Sequence, residues 1–292
     1  MQSTLTFEAQ DGTPIWCGTT GQGPYLVLCD GFACDGFIWP YIIDHFHEHY
    51  TIVRWHYRGH GRSGTPEDFD NLDMKHVCQD LLDVLDHLNI DQAILAGHSM
   101  GSQVILQSYE YFPERIRALL PICGTYMRPL DTFNDSDILA KLLPYLEKAA
   151  KAAPNVLQGI WKTFVNTKLS YIGAHLTELN SSLVNGEDFR PYLEHTAAMD
   201  VHVYLGMLHH LAEHSAEHIL PTIDVPTLII ASEFDSFTPL HRSELMNQSI
   251  PESEMVVLPG ASHAGPIELP DTVIGAMEKF FHKHNLDKSP GK

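Results

Sequence analysis

The 292-residue sequence predicts an α/β fold with a doubly wound, mostly parallel eight-stranded sheet, an antiparallel N-terminal hairpin and an inserted helical lid. Two observations support this prediction. Short apolar segments of strand length alternate with helical patterns at both ends of the chain, which is typical of βαβ units with helices on both faces of a parallel sheet. Residues 126–220 interrupt the alternation, because they show helical patterns and no convincing buried strand.

The first two strands are predicted to form a hairpin at the edge of the sheet. Leu5 and Phe7 alternate with polar residues, and Asp11-Gly12 is a dipeptide that favours a tight turn. The return strand begins at Ile15. Pro121 predicts a local irregularity within its own strand. The remaining strands are predicted at Tyr25–Cys29, Thr51–Trp55, 93–96, 118–123, 226–231 and 255–258.

The clearest helix is predicted over residues 72–89, where apolar residues recur at steps of three and four with carboxylates between them. The other helices of the sheet region are predicted at 39–50, 100–112, 240–248 and 272–283.

The predicted domain organisation is a core formed by residues 1–125 and 221–292, with residues 126–220 inserted as a helical lid. Such a lid would cover the carboxyl ends of the strands, where doubly wound sheets bind their ligands.

Composition argues against several classes of partner. The chain has 18 basic and 37 acidic residues and a formal charge of −19, so nucleic acids and anionic membranes would be repelled. No apolar stretch approaches the roughly 20 residues of a membrane span, and the N-terminal residues lack the pattern of a signal peptide. The five cysteines form no Cys-x-x-Cys pair, so we expect buried thiols and a cytoplasmic location.

A candidate nucleophile lies in Gly97-His98-Ser99-Met100-Gly101, which has the form Gly-x-Ser-x-Gly between a predicted strand and a predicted helix. A sharp strand-to-helix turn would hold the middle residue in strained backbone geometry, and the glycines would let neighbouring backbone pack closely around it. The helix N-terminus behind Ser99 favours developing negative charge. These features indicate nucleophilic chemistry at Ser99.

A serine hydroxyl needs a base near neutral pH, and the base needs an acid to orient it. Asp235 follows the strand predicted at 226–231, and His263 follows the strand predicted at 255–258. Both residues are therefore expected on loops at the sheet edge that carries Ser99. We predict that the three side chains converge there.

Two details of these loops complete the interpretation. Thr238-Pro239 is interpreted as the N-cap and first residue of the following helix. Asp131 is a weaker candidate for the acid than Asp235, because Gly124-Thr125 occupies the corner after the preceding strand.

With these placements the chain resembles members of the α/β-hydrolase superfamily over nearly all of its length outside the predicted lid. The segment Arg58-Gly59-His60-Gly61-Arg62-Ser63-Gly64 is similar to a loop of the small esterase, cofactor-free haloperoxidase and C–C hydrolase branches. The resemblance implies a catalytic triad of Ser99 as nucleophile, His263 as base and Asp235 as its partner. Because Ser99 replaces the aspartate nucleophile of haloalkane dehalogenases and epoxide hydrolases, the resemblance argues against those activities.

The resemblance also implies an oxyanion hole formed by the backbone N–H groups of Phe32 and Met100. Many relatives carry His-Gly before the first of these residues, whereas this chain reads Cys29-Asp30-Gly31. Asp30 either hydrogen-bonds local backbone, which we favour, or faces the pocket. Arg58 is expected to bond backbone carbonyls rather than to bind a substrate carboxylate.

The 19 histidines include two clusters with metal-like spacing. The first is His45, His47 and His49, and the second is His210, His214 and His218 on a predicted lid helix. Solvated or lid-packing histidines are favoured over ligands in both clusters, so no metal and no other cofactor is predicted. Among the aromatic residues of the lid, Trp161 and Phe164 are predicted to contact substrate.

The sequence therefore predicts a serine hydrolase of the carboxylesterase type. It would cleave an ester or related acyl bond of a small, mainly hydrophobic substrate through an acyl-enzyme. One alternative is a ligand receptor or binding protein on the same scaffold, and another is a C–C bond hydrolase or perhydrolase that uses the same triad. The expected partner is a small-molecule acyl substrate, and no oligomeric state is predicted.

Overall fold

An eight-stranded sheet forms the centre of the molecule in the computed structural model, which describes residues 3–131, 138–165, 180, 182–184 and 186–288. Its strand order is β1-β2-β4-β3-β5-β6-β7-β8. Only the pairings that involve β1 and β2 are antiparallel, so the predicted fold class and its N-terminal hairpin are confirmed. The strands are β1 (Ser3–Glu8), β2 (Pro14–Gly21), β3 (Tyr25–Cys29), β4 (Thr51–Trp55), β5 (Ala93–His98), β6 (Ile116–Ile122), β7 (Leu228–Ser232) and β8 (Glu254–Leu258).

The irregularity predicted at Pro121 lies in the ladder between β6 and β7. Leu119 N–H donates to the carbonyl of Pro226, and Cys123 N–H donates to the carbonyl of Ile230. Alternate residues along a strand hydrogen-bond to the same neighbouring strand, so the N–H of residue 121 would also donate to β7. Pro121 has no backbone N–H and cannot form this bond. The two strands accordingly pair at isolated positions, whereas β6 pairs with β5 along its length.

Helices cover both faces of the sheet, and their bounds differ from the predicted ones by a few residues. The helix predicted over 72–89 spans Met74–His87, because the Asp73 carboxylate accepts from His76 N–H and caps it. The helices of this region are α1 (Pro40–Phe46), α2 (Met74–His87), α3 (Met100–Tyr111), α8 (Leu240–Ser249), α9 (Gly265–Glu268) and α10 (Pro270–Lys283).

Residues 126–220, between β6 and β7, are here called the β6–β7 segment. Its described helices are α4 (Ile138–Ala152), α5 (Pro154–Val165), α6 (Gly186–Ala198) and α7 (Val201–Glu213). Helix α7 contacts α4, α5 and the short 3₁₀ helix Phe69–Leu72 that precedes α2. It therefore joins this segment to the sheet region.

Two clusters of buried apolar side chains lie on opposite faces of the sheet. Val27 belongs to one cluster, whereas its neighbours Leu26 and Leu28 belong to the other, as the alternation of a strand requires. All five cysteines are buried, as expected from the sequence. Within the described ranges, no helix is both long and apolar enough to cross a membrane.

Candidate active site

Ser99 lies at the turn between β5 and α3 in a strained backbone conformation, with φ 53° and ψ −116°. The flanking glycines are required by close packing. A Cβ on Gly97 would come within 2.2 Å of the Gly101 carbonyl oxygen, and one on Gly101 within 2.2 Å of the Cys29 carbonyl oxygen. This packing fixes the turn and holds the serine at the carboxyl edge of the sheet.

Three side chains from separate strand ends meet at this turn. His263 Nε2 lies 2.9 Å from Ser99 Oγ, and its Nδ1 lies 2.9 Å from Asp235 Oδ2. Asp235 follows β7 and His263 follows β8, as their positions in the sequence indicated. The Asp235 side chain is fully buried, and that of His263 is 11% exposed. The imidazole can therefore pass a proton between the serine and a group bound above it.

The loop after β7 orients the Asp235 carboxylate. Its Oδ1 accepts from the backbone N–H groups of Phe237 and Thr238 at 2.9 and 2.8 Å, and its Oδ2 accepts from the Thr238 hydroxyl at 2.8 Å. The interpretation of Thr238-Pro239 was wrong in register, because α8 begins at Leu240 and the Thr238 hydroxyl bonds the carboxylate instead of capping the helix. Asp131, the weaker candidate, pairs with Arg128 at 3.3 Å and is 42% exposed.

His98 supports the backbone of the facing histidine. Its Nε2 donates to the carbonyl of His263 at 3.0 Å, and its Nδ1 is buried with no partner among the described residues. Burial and the nearby His263 lower the pKa of His98 to about 3, so its ring is neutral. Phe237 stacks on the His263 ring with centroids 4.9 Å apart.

The two residues expected to supply oxyanion donors, Phe32 and Met100, both line the cavity above Ser99. Met100 is the first residue of α3, and first-turn N–H groups have no intrahelical acceptor. Both residues therefore lie at the same cavity as Ser99, and their role as oxyanion donors stays a prediction.

The loop that carries Phe32 is held by two histidines on opposite sides of Ala33. Ala33 N–H donates to His60 Nε2 at 3.3 Å, and the Ala33 carbonyl accepts from His195 Nδ1 at 2.8 Å. His195 lies on α6, and its Nε2 accepts from Gly61 N–H at 2.8 Å. The β6–β7 segment is thus tied directly to this loop.

The cavity above Ser99 has a volume of about 130 Å³. Its walls are mainly apolar and aromatic, and most of them were not predicted. Tyr204, Leu208 and Leu211 fall on one face of α7 at steps of four and three, a helical pattern that could have indicated them. The other unpredicted lining residues are Gly31, Cys34, Phe37, Gln103, Thr125, Pro129, Leu130, Leu139, Tyr192, Phe237 and Thr238, together with His98.

Trp161 is not among the residues that line this cavity. Its ring packs against Tyr204 with centroids 4.4 Å apart, and its indole N–H donates to the Thr196 carbonyl at 3.1 Å. Of these two rings, Tyr204 lines the cavity and Trp161 packs against Tyr204. The side chain of Phe164 lies outside the described part of the structure.

Asp30 and Arg58 bond mainly to side chains, whereas backbone partners were expected from the sequence. Asp30 Oδ1 accepts from the Trp39 indole N–H at 2.7 Å, and among the described residues Asp30 neither bonds local backbone nor lines the cavity. Arg58 bonds one backbone carbonyl, that of Asn71, but mainly pairs with two carboxylates, Asp80 and Asp11. Neither partner was evident from the sequence around the loop.

The histidines of the two clusters bond different partners. His45 pairs with Glu278, and His47 bonds backbone carbonyls of its own helix. Helix α7 ends at Glu213, so His210, His214 and His218 do not share a helical face as expected. The described part of the chain has no group of three potential metal ligands.

The fold and the geometry at Ser99 define the class of protein. The chain belongs to the alpha/beta hydrolase fold family, whose model matches residues 24–270. It is 25% identical over 259 residues to 3-oxoadipate enol-lactonase 1 of Acinetobacter baylyi, covering 89% of each chain. It is 22% identical over 270 residues to the Karrikin insensitive 2 receptor CA of Petunia hybrida, covering 88% of this chain and 91% of the receptor.

A solved structure shares the fold closely. A thermophilic esterase from Thermogutta terrifontis superposes with a TM-score of 0.79 at 20% identity, over 97% of this chain and 99% of the esterase. The match of the family model to residues 24–270 confirms the superfamily expected from the sequence.

Proposed function

We propose that the protein is a serine hydrolase that cleaves a small, neutral, mainly hydrophobic ester or lactone through an acyl-enzyme. The observation that carries the proposal is the continuous relay from Asp235 through His263 to Ser99, with two bonds of 2.9 Å, at the floor of a cavity. Similarity to the enol-lactonase and to the esterase supports an acyl substrate.

In the acylation step, Ser99 Oγ attacks the substrate carbonyl carbon while His263 Nε2 takes the hydroxyl proton. The buried Asp235 carboxylate accepts from Nδ1–H and stabilises the imidazolium that forms. The oxyanion accepts from the N–H groups of Phe32 and Met100, and each such donor typically contributes about 3–4 kcal/mol to the transition state.

Collapse of the tetrahedral intermediate expels the alcohol, which takes the proton from His263 Nε2. A water molecule then gives a proton to the same nitrogen and attacks the acyl carbon. The second collapse returns that proton to Ser99 Oγ and releases the acid. Each deacylation regenerates the starting protonation state, so the cycle needs no cofactor.

The cavity limits the substrate in size and charge. Its volume of about 130 Å³ is below the roughly 300–1,000 Å³ typical of ligand pockets, which favours a short acyl or small ring compound. No Arg or Lys side chain is among its described lining residues, so a carboxylate on the substrate would lack a charged partner.

The proposal is tested with short-chain esters and lactones and with a fluorophosphonate probe, followed by mass mapping of the labelled peptide. We expect ester turnover and labelling at Ser99, with both absent in Ser99→Ala. Ser249→Ala is a matched control, because that exposed hydroxyl donates to the Leu245 carbonyl of its own helix and its loss should leave both readouts intact. A wild-type protein that neither turns over any ester nor reacts with the probe would refute the proposal.

A ligand receptor on the same scaffold is the second candidate, favoured by the similarity to the petunia receptor. The same Ser99→Ala variant separates the two functions. The receptor would be favoured if Ser99→Ala still binds the ligand without turning it over, and if the biological output does not depend on turnover.

A further inference from the structure

A chain of hydrogen bonds runs from the protein surface to the wall of the cavity. Glu110 accepts from Gln107 Nε2 and, at 3.1 Å, from His218 Nε2. Gln107 Oε1 lies 2.9 Å from His214 Nε2, and His214 Nδ1 lies 2.9 Å from Gln103 Nε2. Gln103, the last member, lines the cavity four residues after Ser99.

The carboxylate at the outer end fixes the direction of every bond in this chain. An ionised carboxylate has no hydrogen to donate, so Glu110 can only accept hydrogen bonds. Gln107 therefore turns its NH₂ group towards Glu110 and its Oε1 towards His214. His214 therefore carries its proton on Nε2. Burial and the nearby His218 lower the pKa of His214 to about 4, so the ring is neutral and Nδ1 is a bare acceptor.

The bare Nδ1 of His214 in turn requires the NH₂ group of Gln103, which leaves Gln103 Oε1 on the other side. This oxygen is buried and has no partner among the described residues, and the whole side chain is only 1% exposed. A buried amide oxygen without a donor is unfavourable. Because His214 prevents the amide from turning over, the acceptor is held in place within a residue that lines the mainly apolar cavity.

We propose that Gln103 Oε1 accepts a hydrogen bond from a hydroxyl group of the substrate and thereby selects hydroxylated esters over their deoxy analogues. The inference deepens the proposed function and rests on it. A hydroxyl suits the site because a cavity of about 130 Å³ has little room for a larger donor group. A cation is disfavoured, because the carboxylate of the chain lies at its far end and the amide oxygen carries no net charge.

Gln103 is one helical turn from the nucleophile, a separation of about 6 Å along one face of a helix. The hydroxyl is therefore expected a few bonds from the reacting carbonyl, on either the acyl or the alcohol side. Two matched pairs of esters cover both sides. The acyl pair is methyl 3-hydroxybutyrate and methyl 3-fluorobutyrate, and the alcohol pair is 2-hydroxyethyl butyrate and 2-fluoroethyl butyrate.

Fluorine approximates the hydroxyl in size and electron withdrawal but cannot donate a hydrogen bond. The measurement is kcat/KM for each ester by proton release, expressed as the hydroxyl-to-fluoro ratio within a pair. In the wild type we expect this ratio to be about 10 to 100 in one of the pairs. In Gln103→Met, which keeps the length of the side chain and removes its amide, we expect the ratio to fall to about 1.

Gln79→Met is the matched control, because Gln79 donates to Asp83 on the surface of α2 and should leave the ratio at its wild-type value. The ratio cancels any general loss of activity in a variant, and fluorophosphonate labelling of Ser99 reports whether the variant is folded. Wild-type ratios near 1 in both pairs, or a preference that survives in Gln103→Met, would overturn the inference.

The two proposals fail in different ways. Absence of both labelling and turnover in the wild type refutes the serine hydrolase. Labelling at Ser99 combined with no turnover of either hydroxylated ester, or with equal turnover of both members of each pair, refutes only the role of Gln103.

Discussion

Two buried polar clusters of this molecule use the same kinds of residue in opposite ways. Around Arg58, the guanidinium donates to both oxygens of Asp80 at 2.6 and 2.7 Å and to Asp11 at 2.9 Å. Around Asp235, the carboxylate likewise accepts from several donors, but the relay continues through His263 to a hydroxyl at a cavity.

The difference lies in where each cluster ends. The hydrogen bonds of the Arg58 cluster connect only its own members, so they join three distant segments of the chain. The Asp235 relay ends at an atom that faces space large enough for a reactant. A buried charged network is therefore evidence of chemistry only when its last member faces such a space.

The largest effect is expected for Asp235→Asn. Asparagine keeps an oxygen for the N–H groups of Phe237 and Thr238, but its NH₂ would face His263 Nδ1 and force the proton of the imidazole onto Nε2. That nitrogen could no longer accept the proton of Ser99, so kcat should fall by about 10⁴-fold. Steady-state kinetics measure the loss, and a thermal melt close to that of the wild type is the control.

Asp80→Asn should have the opposite pattern. It leaves Arg58 buried without its bidentate partner, and breaking such a pair costs about 3–5 kcal/mol in the free energy of unfolding. Because Asp80 bonds Arg58 and lies outside the relay, the folded fraction should retain kcat. Denaturant titration and kinetics on the same samples distinguish the two losses, and a variant with full stability but lost activity would break the comparison between the clusters.

Asp30→Asn is expected to stabilise the protein at alkaline pH. Burial raises the pKa of Asp30 to about 7, above its value of about 4 in the unfolded chain. The ionised carboxylate therefore costs stability that grows as the pH rises from about 4 to 7. Asparagine can still accept from Trp39. Because about three pKa units correspond to about 4 kcal/mol, the variant should gain about 4 kcal/mol in unfolding free energy at pH 8 and about 1.5 kcal/mol at pH 5. Equal stability of both proteins at pH 8 would contradict this.

The smallest expected effect is the change in the pH dependence of stability when His214 is replaced. Its folded pKa of about 4 lies below the unfolded value of about 6.5, so its contribution to stability is present above pH 6.5 and is lost as the pH falls towards 4. Between pH 7.5 and 5.5 the loss is about 1 kcal/mol for one such group. Unfolding titrations of wild type and His214→Gln should differ in pH dependence by this amount, and parallel curves would argue against a buried neutral ring.

Local sequence predicted the parts of the site that depend on strand ends. Ser99 was identifiable because Gly97 and Gly101 permit a turn that few other residues allow. Asp235 and His263 could be assigned because loops after parallel strands meet at one edge of the sheet. Their placement depends on where the strands end, which the apolar pattern predicts well.

The features that sequence did not predict depend on packing between distant segments. Trp161 and Tyr204 are both aromatic residues of the β6–β7 segment, and only the way α5 packs against α7 decides which of them reaches the cavity. Gln103 looks like an ordinary polar residue of a helix until His214, 111 positions away, fixes its amide. Arg58 similarly depends on Asp11, which lies 47 positions earlier in the chain.

The hydrogen bonds at Ala33 connect the β6–β7 segment to the loop that carries Phe32. His195 on α6 donates to the Ala33 carbonyl, and His60 accepts from the Ala33 N–H, next to the residue proposed to supply an oxyanion donor. Any movement of α6 away from the sheet would break the hydrogen bond from His195 to the Ala33 carbonyl. Under the proposed mechanism, an opening of the cavity that displaced α6 would therefore also remove one of the bonds that position the backbone beside the Phe32 donor.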